Sequence, residues 1–249
     1  MRKITILAAL GFALIMGGCA TYYNPVTERT EYTLYSESEE IEMGTAIDKK
    51  IREDHEIVPT PDYIDEIGRK VSEKSDRPGI SYTFSVIEEE GVNAFAIPGG
   101  FVYLNTGLIQ TADSDDELAC IIGHEIAHIV ARDGLNRLQK SILYSIPSQI
   151  LLSRTRSTAI QQAVDATFSL AMLKYSRDEE LRADRFGTLY AHRAGYDPHA
   201  MISFLEKLSE IRSSSSDVQL PFLSSHPDIA ARIENVRGVI AEIESGRLF

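Results

Sequence analysis

The chain has 249 residues, 43% of them hydrophobic and 25% charged, which is enough for one substantial globular domain. Its formal net charge of −12 argues against a nucleic acid partner, because phosphate binding requires a basic surface. The chain has two cysteines, so modification of one would leave no intrachain disulfide to hold the fold.

Residues 1–18 have the pattern of an export signal, with two cations followed by an apolar run that is short for a membrane span. A Gly-Gly-Cys sequence ending at Cys19 resembles the cleavage site of bacterial lipoproteins, in which that cysteine is acylated. We therefore predict a signal peptide over 1–18 and a lipid anchor at Cys19; an ordinary signal peptide with a chance cysteine is the alternative. The residue after Cys19 is Ala20 and not Asp, which favours sorting of the lipoprotein to the periplasmic face of an outer membrane.

The following segments predict a tether and then mixed secondary structure. Residues 19–35 show little periodicity and are interpreted as the lipidated cysteine and its tether. Apolar residues at helical spacing predict helices in 38–54 and 60–74. Alternating β-rich residues predict a strand in 81–89, and 93–109 is typical of two short strands around a Pro-Gly-Gly turn.

The segment TADSDDELACIIGHEIAHIVARDG predicts a helix with ionisable residues in an otherwise apolar stretch. A capping box of Ser114 and Glu117 marks its start, and Gly134 marks its end. Ionisable groups are costly to bury without partners. Their position in the middle of this helix indicates either that other groups pair with them or that they have a function.

His124 and His128 are about one helical turn apart, so both imidazoles project from one face, as two ligands of one zinc ion must. Glu125 points slightly off that face, close enough to reach a metal-bound water without binding the metal. Two core histidines bonded to backbone carbonyls are the alternative. Cys120, one turn before His124, is interpreted as a core thiol rather than a third ligand.

A catalytic zinc ion usually takes three protein ligands, and the segment YSRDEELRADRFG offers the third. Ser176 and Glu179 form a second capping box, so a helix should begin here. Glu180 and Asp184 then share a face; the first can bind metal, and the second can orient a ligand imidazole. A solvated acidic face paired with nearby arginines is the alternative for this segment alone.

Four segments together resemble the zinc metallopeptidase family of the CAAX prenyl protease and the HtpX heat-shock protease, in particular its soluble, exported bacterial branch. HEIAH fits the zinc helix, and SRDEELRAD fits the family pattern Ser-Arg-x-x-Glu-x-x-Ala-Asp. NAFAIPGGFVYLNTGLI fits the strands before the zinc helix, and SSHPDIAARI fits a C-terminal His-Pro segment. The match extends from about residue 36 to the end of the chain.

The resemblance implies an α+β fold: a mainly helical, zincin-like metalloprotease domain over 36–249, with a small antiparallel sheet beside the motif helix. It implies one Zn²⁺ per chain, held by His124, His128 and Glu180. Asp184 is expected to hold the ring of His124 from the side opposite the zinc ion.

The resemblance also assigns the reacting groups. Glu125 would be the general base for an attacking water. His226 would lie near the metal, where it could stabilise an oxyanion or restrain activity; a plain surface histidine is the alternative. A polypeptide substrate could add as a strand beside the segment before the Pro-Gly-Gly turn. The residues expected to pair with it are Asn93, Ala94, Phe95 and Ala96.

The resulting hypothesis is a zinc-dependent metalloendopeptidase that hydrolyses misfolded or unassembled cell-envelope proteins. A largely repressed protease that acts mainly as an envelope chaperone or assembly factor is the alternative. A purely structural zinc site is disfavoured, because such sites normally use Cys and His without a general base.

Overall fold

The computed structural model describes residues 20–145, 175–214, 220–226 and 228–248. The predicted signal peptide and Cys19 lie outside these residues. Within them the strands are β1 (Ala20–Asn24), β2 (Arg29–Thr33), β3 (Ile57–Val58), β4 (Thr83–Ile87), β5 (Ala94–Ile97) and β6 (Phe101–Asn105). The helices are α1 (Glu37–Asp54), α2 (Asp62–Ser72), α3 (Thr106–Thr111), α4 (Asp115–Ala131), α5 (Asp133–Ser145), α6 (Arg177–Arg193), α7 (Ala200–Ser214), α8 (Pro221–Ser225) and α9 (Ile229–Glu244).

The predicted α+β class is confirmed, with one difference in the sheet beside the motif helix. This sheet has the order β3-β4-β6-β5, and its two outer pairs are antiparallel as expected. Its central pair, β4 and β6, is parallel. The chain leaves β4, forms β5 at the edge and turns back through Gly99 and Gly100, both at positive φ, so that β6 enters between them in the direction of β4.

The motif helix α4 lies at the centre of the fold. All of its residues from Glu117 to Ala131 are buried, which is the pattern of a helix covered on every side. Its neighbours are α6, α2, α7 and strand β5. Its start is capped by Ser114, whose hydroxyl accepts from the Glu117 amide, while the Glu117 carboxylate accepts from the Asp113 amide instead of closing the predicted box.

The predicted tether is a β-hairpin for most of its length. Strands β1 and β2 pair in antiparallel register from Ala20↔Thr33 to Asn24↔Arg29. Asn24 is fully buried, and its side-chain amide donates to the carbonyl of Ala131 at the end of α4 (2.9 Å). Tyr and Thr residues on both sides of the turn favour strands, a signal that the lack of periodicity obscured.

In the described parts of the chain, no helix combines the length and apolarity needed to cross a bilayer.

Candidate metal centre

The two histidines of α4 point their Nε2 atoms at each other inside the protein. These atoms are 3.2 Å apart, and His124 and His128 are 0% and 2% exposed. The Nδ1 atom of His124 lies 2.9 Å from Asp184 Oδ1, and that of His128 lies 2.8 Å from Asp133 Oδ2. A carboxylate accepts but cannot donate, so each Nδ1 carries the proton and each Nε2 presents a lone pair.

Two unshared lone pairs would repel each other at this distance, so a proton or a metal ion must lie between the two Nε2 atoms. The pKa values assign that proton to His128. Burial lowers the pKa of His124. Burial also lowers the pKa of His128, but its bonds to Asp133 and Glu180 outweigh burial and raise that pKa to about 9. A metal ion would take the place of the proton that His128 otherwise holds.

Glu180 supplies an anionic donor to the same point. The Ser176–Glu179 capping box starts α6 as predicted, and Glu180 follows in the first turn. Its oxygens lie 3.5 Å from His128 Nε2 and 3.7 Å from His124 Nε2. Burial raises the pKa of Glu180, but the charges of His226 and Arg232 hold that pKa well below its usual value, so the group is a carboxylate.

These three donors fit a zinc ion. Two ligands that are each about 2.0–2.1 Å from a tetrahedral zinc ion lie about 3.3 Å from each other. The two Nε2 atoms are 3.2 Å apart, and Glu180 places Oε1 3.5 Å from His128 Nε2 and Oε2 3.7 Å from His124 Nε2, distances close to that spacing. With His226 included, the donor atoms of the cluster lie within 4.8 Å of one another, and all four residues are buried.

Glu125 lies beside this cluster and is not part of it. Both of its carboxylate oxygens are buried and have no hydrogen-bond partner among the described residues. The His226 Nε2 atom lies 3.6 Å from Glu125 Oε1. An unpartnered buried carboxylate is costly, and at this position it is poised to accept a proton from a group that enters the site.

His226 closes the cluster on its fourth side. Its Nδ1 atom lies 2.8 Å from Glu180 Oε1 and 3.2 Å from His124 Nε2. The residue is fully buried, and its ring stacks on Phe222 of α8 with the centroids 4.5 Å apart. Glu125 and His226 are both fully buried in this arrangement.

Two charged residues of the site were not predicted from the sequence, and the first is Arg232. This residue, in α9, is fully buried, and its guanidinium donates to both oxygens of Asp184 (2.8 and 2.7 Å). Its Nη1 lies 3.2 Å from Glu180 Oε2. Burial raises the pKa of Asp184, but Arg232 outweighs that effect and holds the pKa below its usual value. Arg232 therefore keeps charged the carboxylate that orients His124.

The second is Asp133, which begins α5. The helix α4 ends at Ala131, before the predicted stop at Gly134, because its C-cap residue Arg132 adopts a left-handed conformation with φ of 56°. Its guanidinium Nε lies 3.1 Å from Glu40 Oε2 and so helps to hold this turn. The turn directs Asp133 back to the ring of His128. The sequence signal that could have identified Asp133 is a carboxylate five residues after the second histidine.

The remaining predicted residues lie at two other places. Asn93 precedes β5, and Ala94, Phe95 and Ala96 belong to it; β5 packs on α4 and forms one edge of the sheet. No other strand among the described residues pairs with its outer side. Cys120 is a buried core thiol near the carbonyl of Asp197 (3.7 Å), and burial raises its pKa.

Comparison with known proteins identifies one family. The family described as Peptidase family M48 matches residues 60–240. This range includes the donor cluster, Glu125, Asp133, Asp184 and Arg232, and it leaves out the hairpin β1–β2 and helix α1.

Individual relatives agree with this match. A putative beta-barrel assembly-enhancing protease from Vibrio cholerae is 30% identical over 212 residues, which cover 80% of this chain and 43% of that protein. A beta-barrel assembly-enhancing protease from Escherichia coli K12 is 29% identical, with the same coverage of the two chains. The mitochondrial metalloendopeptidase OMA1 of Saccharomyces cerevisiae is 28% identical, covering 90% of this chain and 72% of that protein. The chain thus spans less than half the length of the two bacterial relatives.

Proposed function

Because the chain belongs to peptidase family M48, we propose that it is a zinc-dependent metalloendopeptidase whose active site is the cluster around His124. One observation carries this proposal: two imidazole lone pairs and the Glu180 carboxylate converge at zinc-ligand spacing, with an unpartnered Glu125 beside them. A structural zinc site would have no use for that carboxylate.

Each residue of the site has a distinct role in this proposal. His124, His128 and Glu180 would hold one zinc ion, and Asp184 and Asp133 fix the rings of the two histidines. When bound, zinc would supply Lewis acidity for the scissile carbonyl and for an attacking water, whose pKa it would lower to about 7. Glu125 accepts the proton of that water and delivers it to the amine that leaves.

The substrate is a polypeptide that adds as a strand to the outer edge of β5. The Asn93 carbonyl accepts from the Asn105 amide, so in an antiparallel ladder the backbone groups of Ala94 and Ala96 face away from β6. The Val92 carbonyl, which also faces outward, accepts from the Phe222 amide of α8 (3.1 Å). Binding through main-chain groups selects for an extended chain rather than for a particular sequence.

His226 restrains the resting enzyme. The segment that carries it also occupies the outer edge of the sheet at Val92, so displacement of α8 would free both the fourth side of the cluster and the strand edge. The alternative role, stabilisation of the oxyanion, would also require His226 to leave Glu180.

The site of action is the cell envelope. The proposed acylation of Cys19 anchors the domain to a membrane, and Ala20 after it favours the periplasmic face of the outer membrane. Relatives described as beta-barrel assembly-enhancing proteases support envelope proteins, misfolded or unassembled, as substrates. In this proposal residues 36–249 form the peptidase domain.

Metal removal tests the proposal. The protein should contain one zinc ion per chain by elemental analysis, lose casein cleavage in a chelator and regain it with added zinc. Glu180→Gln should lose or weaken zinc binding. The neighbouring change, Glu179→Gln, removes the same charge but keeps a side chain that closes a capping box, so it should retain zinc. Equal zinc loss in both variants would contradict the choice of ligand.

A further inference from the structure

The hairpin β1–β2 has two faces with different surroundings. Residues directly opposite each other in an antiparallel pair share a face. Tyr22 and its partner Glu31 point toward the protein, where the guanidinium of Arg132 lies 4.3 Å from the Tyr22 ring centre. Asn24 on the same face is bonded to Ala131, and just past β2 the Leu34 amide donates to the Gln139 side chain (2.7 Å). The inner face is thus fixed to the end of α4 and to α5.

The outer face carries large, exposed side chains. Tyr32 is 76% exposed and Tyr23 64%, and Leu34, one residue past β2, is 40% exposed. Five large hydrophobic side chains are exposed in the described residues, and these are three of them. Tyrosine has an apolar ring and a polar hydroxyl, a combination that favours the interface between a bilayer and water.

The start of the hairpin limits how far this face can be from a membrane. Strand β1 begins at Ala20, the residue directly after Cys19, so no flexible tether separates an acyl group from the strand. Tyr32 pairs with Thr21, two residues from Cys19, which corresponds to about 7 Å along a strand. An acyl group at Cys19 would therefore bring the membrane surface to the hairpin, and the inner face is already occupied by protein.

We propose that the outer face of the hairpin, formed by Tyr23, Tyr32 and Leu34, lies in the headgroup layer of the phospholipid membrane that holds the acyl chains. This inference rests on the proposed lipid anchor. Because the inner face is bonded to Ala131, next to the turn that supplies Asp133, contact with the membrane sets the orientation of the metal centre above the bilayer. Two exposed charges, Glu28 in the turn and Arg29 at the start of β2, are of opposite sign, so the contact depends on the aromatic rings rather than on anionic lipid.

Fluorescence of a single tryptophan tests this proposal. The chain contains no tryptophan, so Tyr32→Trp introduces a unique indole. The acylated, zinc-loaded full chain would be reconstituted on phosphatidylethanolamine and phosphatidylglycerol vesicles, with and without lipids brominated near the headgroup. Tyr63→Trp in α2 is the matched control. Tyr63 is also exposed (41%), but α2 is not part of the hairpin that directly follows Cys19.

We expect the Tyr32→Trp emission to shift to shorter wavelengths and lose intensity with brominated lipids, and the Tyr63→Trp emission to do neither. The result should be the same without phosphatidylglycerol. An acylated protein that sediments with vesicles but keeps an unquenched indole at position 32 overturns this proposal and leaves the anchor intact. A protein whose mass shows no acyl group, and that stays soluble, overturns the anchor and this proposal together. The indole at position 32 should also be measured in a Cys19→Ala background without vesicles. If it is already shielded there, the chain itself covers the face, which also overturns the proposal.

Discussion

Gly123 of α4 and Gly187 of α6 meet at the crossing of the two helices, backbone against backbone. A Cβ atom on Gly123 would lie 2.5 Å from the Gly187 carbonyl oxygen, and one on Gly187 would lie 2.5 Å from the His124 amide nitrogen. Side chains at either position would separate the helices. This contact allows Glu180 and Asp184, both on α6, to reach the histidines of α4.

Gly187→Ala should therefore weaken zinc binding as well as stability. The added methyl group has only backbone atoms around it, so it must displace one helix, at a cost of about 1–3 kcal/mol. Gly238→Ala in α9 is the control, because a Cβ atom there meets nothing within 4 Å; it should stabilise the protein by about 0.5–1 kcal/mol. Urea unfolding and zinc competition with a chromogenic chelator measure both effects. Unchanged zinc affinity in Gly187→Ala would show that the helix spacing does not set the site.

Asp133→Asn and Asp184→Asn should each weaken zinc binding by about 10–100-fold, because the amide can turn its NH₂ group toward Nδ1 and no longer fixes the ring. Asp178→Asn removes the same charge from an exposed position in the first turn of α6 and should leave zinc affinity unchanged. Competition titrations of the three variants provide the comparison. If Asp133→Asn binds zinc like Asp178→Asn, the carboxylate of Asp133 does not support the ligand.

Arg232→Met should be strongly destabilising, because it leaves Asp184 and Glu180 as buried charges without their cation. The loss of one partner from a buried ion pair typically costs about 3–5 kcal/mol. Bound zinc partly offsets the missing charge at Glu180, so the loss should be larger in chelator-treated protein than in zinc-loaded protein.

Arg237→Met provides the control on the same helix. The Arg237 pair with Glu206 is exposed on both sides, so its loss should change the free energy of unfolding by about 0.5 kcal/mol or less. Urea titrations of both variants, with and without chelator, measure the difference. Similar losses for the two arginines would contradict the role of Arg232.

Local sequence predicted the parts of the site that one helix can encode. The spacing of His124 and His128 places both rings on one face, and the Ser176–Glu179 capping box fixes the start of α6. The strands around Gly99 and Gly100 were also predictable from local patterns, whereas the α+β class followed from the family resemblance.

The rest depends on contacts between distant segments. Arg232 contacts Asp184, which lies 48 residues earlier in the chain. The residues next to Arg232 in the sequence do not predict that it is buried. Asp133 depends on the left-handed turn at Arg132, a conformation that non-glycine residues adopt only when their surroundings support it. The hairpin β1–β2 depends on packing against Ala131, which the sequence of the hairpin cannot indicate.

His226→Ala should increase casein cleavage in the zinc-loaded protein, because it opens the fourth side of the cluster without removing His124, His128 or Glu180. His199→Ala, at an exposed histidine paired with Glu244, is the control and should not change the rate. Initial rates at matched zinc content measure the effect. A fall in rate for His226→Ala would assign this histidine to oxyanion stabilisation instead of restraint.

The central claim is that Glu125 performs catalysis and does not hold the metal. The most direct test is the rate of casein cleavage by Glu125→Gln, measured together with its zinc content and also in a His226→Ala background. The amide keeps the size of the side chain but cannot accept the proton, so the rate should fall by about 10²–10⁴-fold while one zinc ion per chain remains bound. Glu179→Gln should cleave like the wild type. Cleavage by zinc-loaded Glu125→Gln at the wild-type rate would contradict the account.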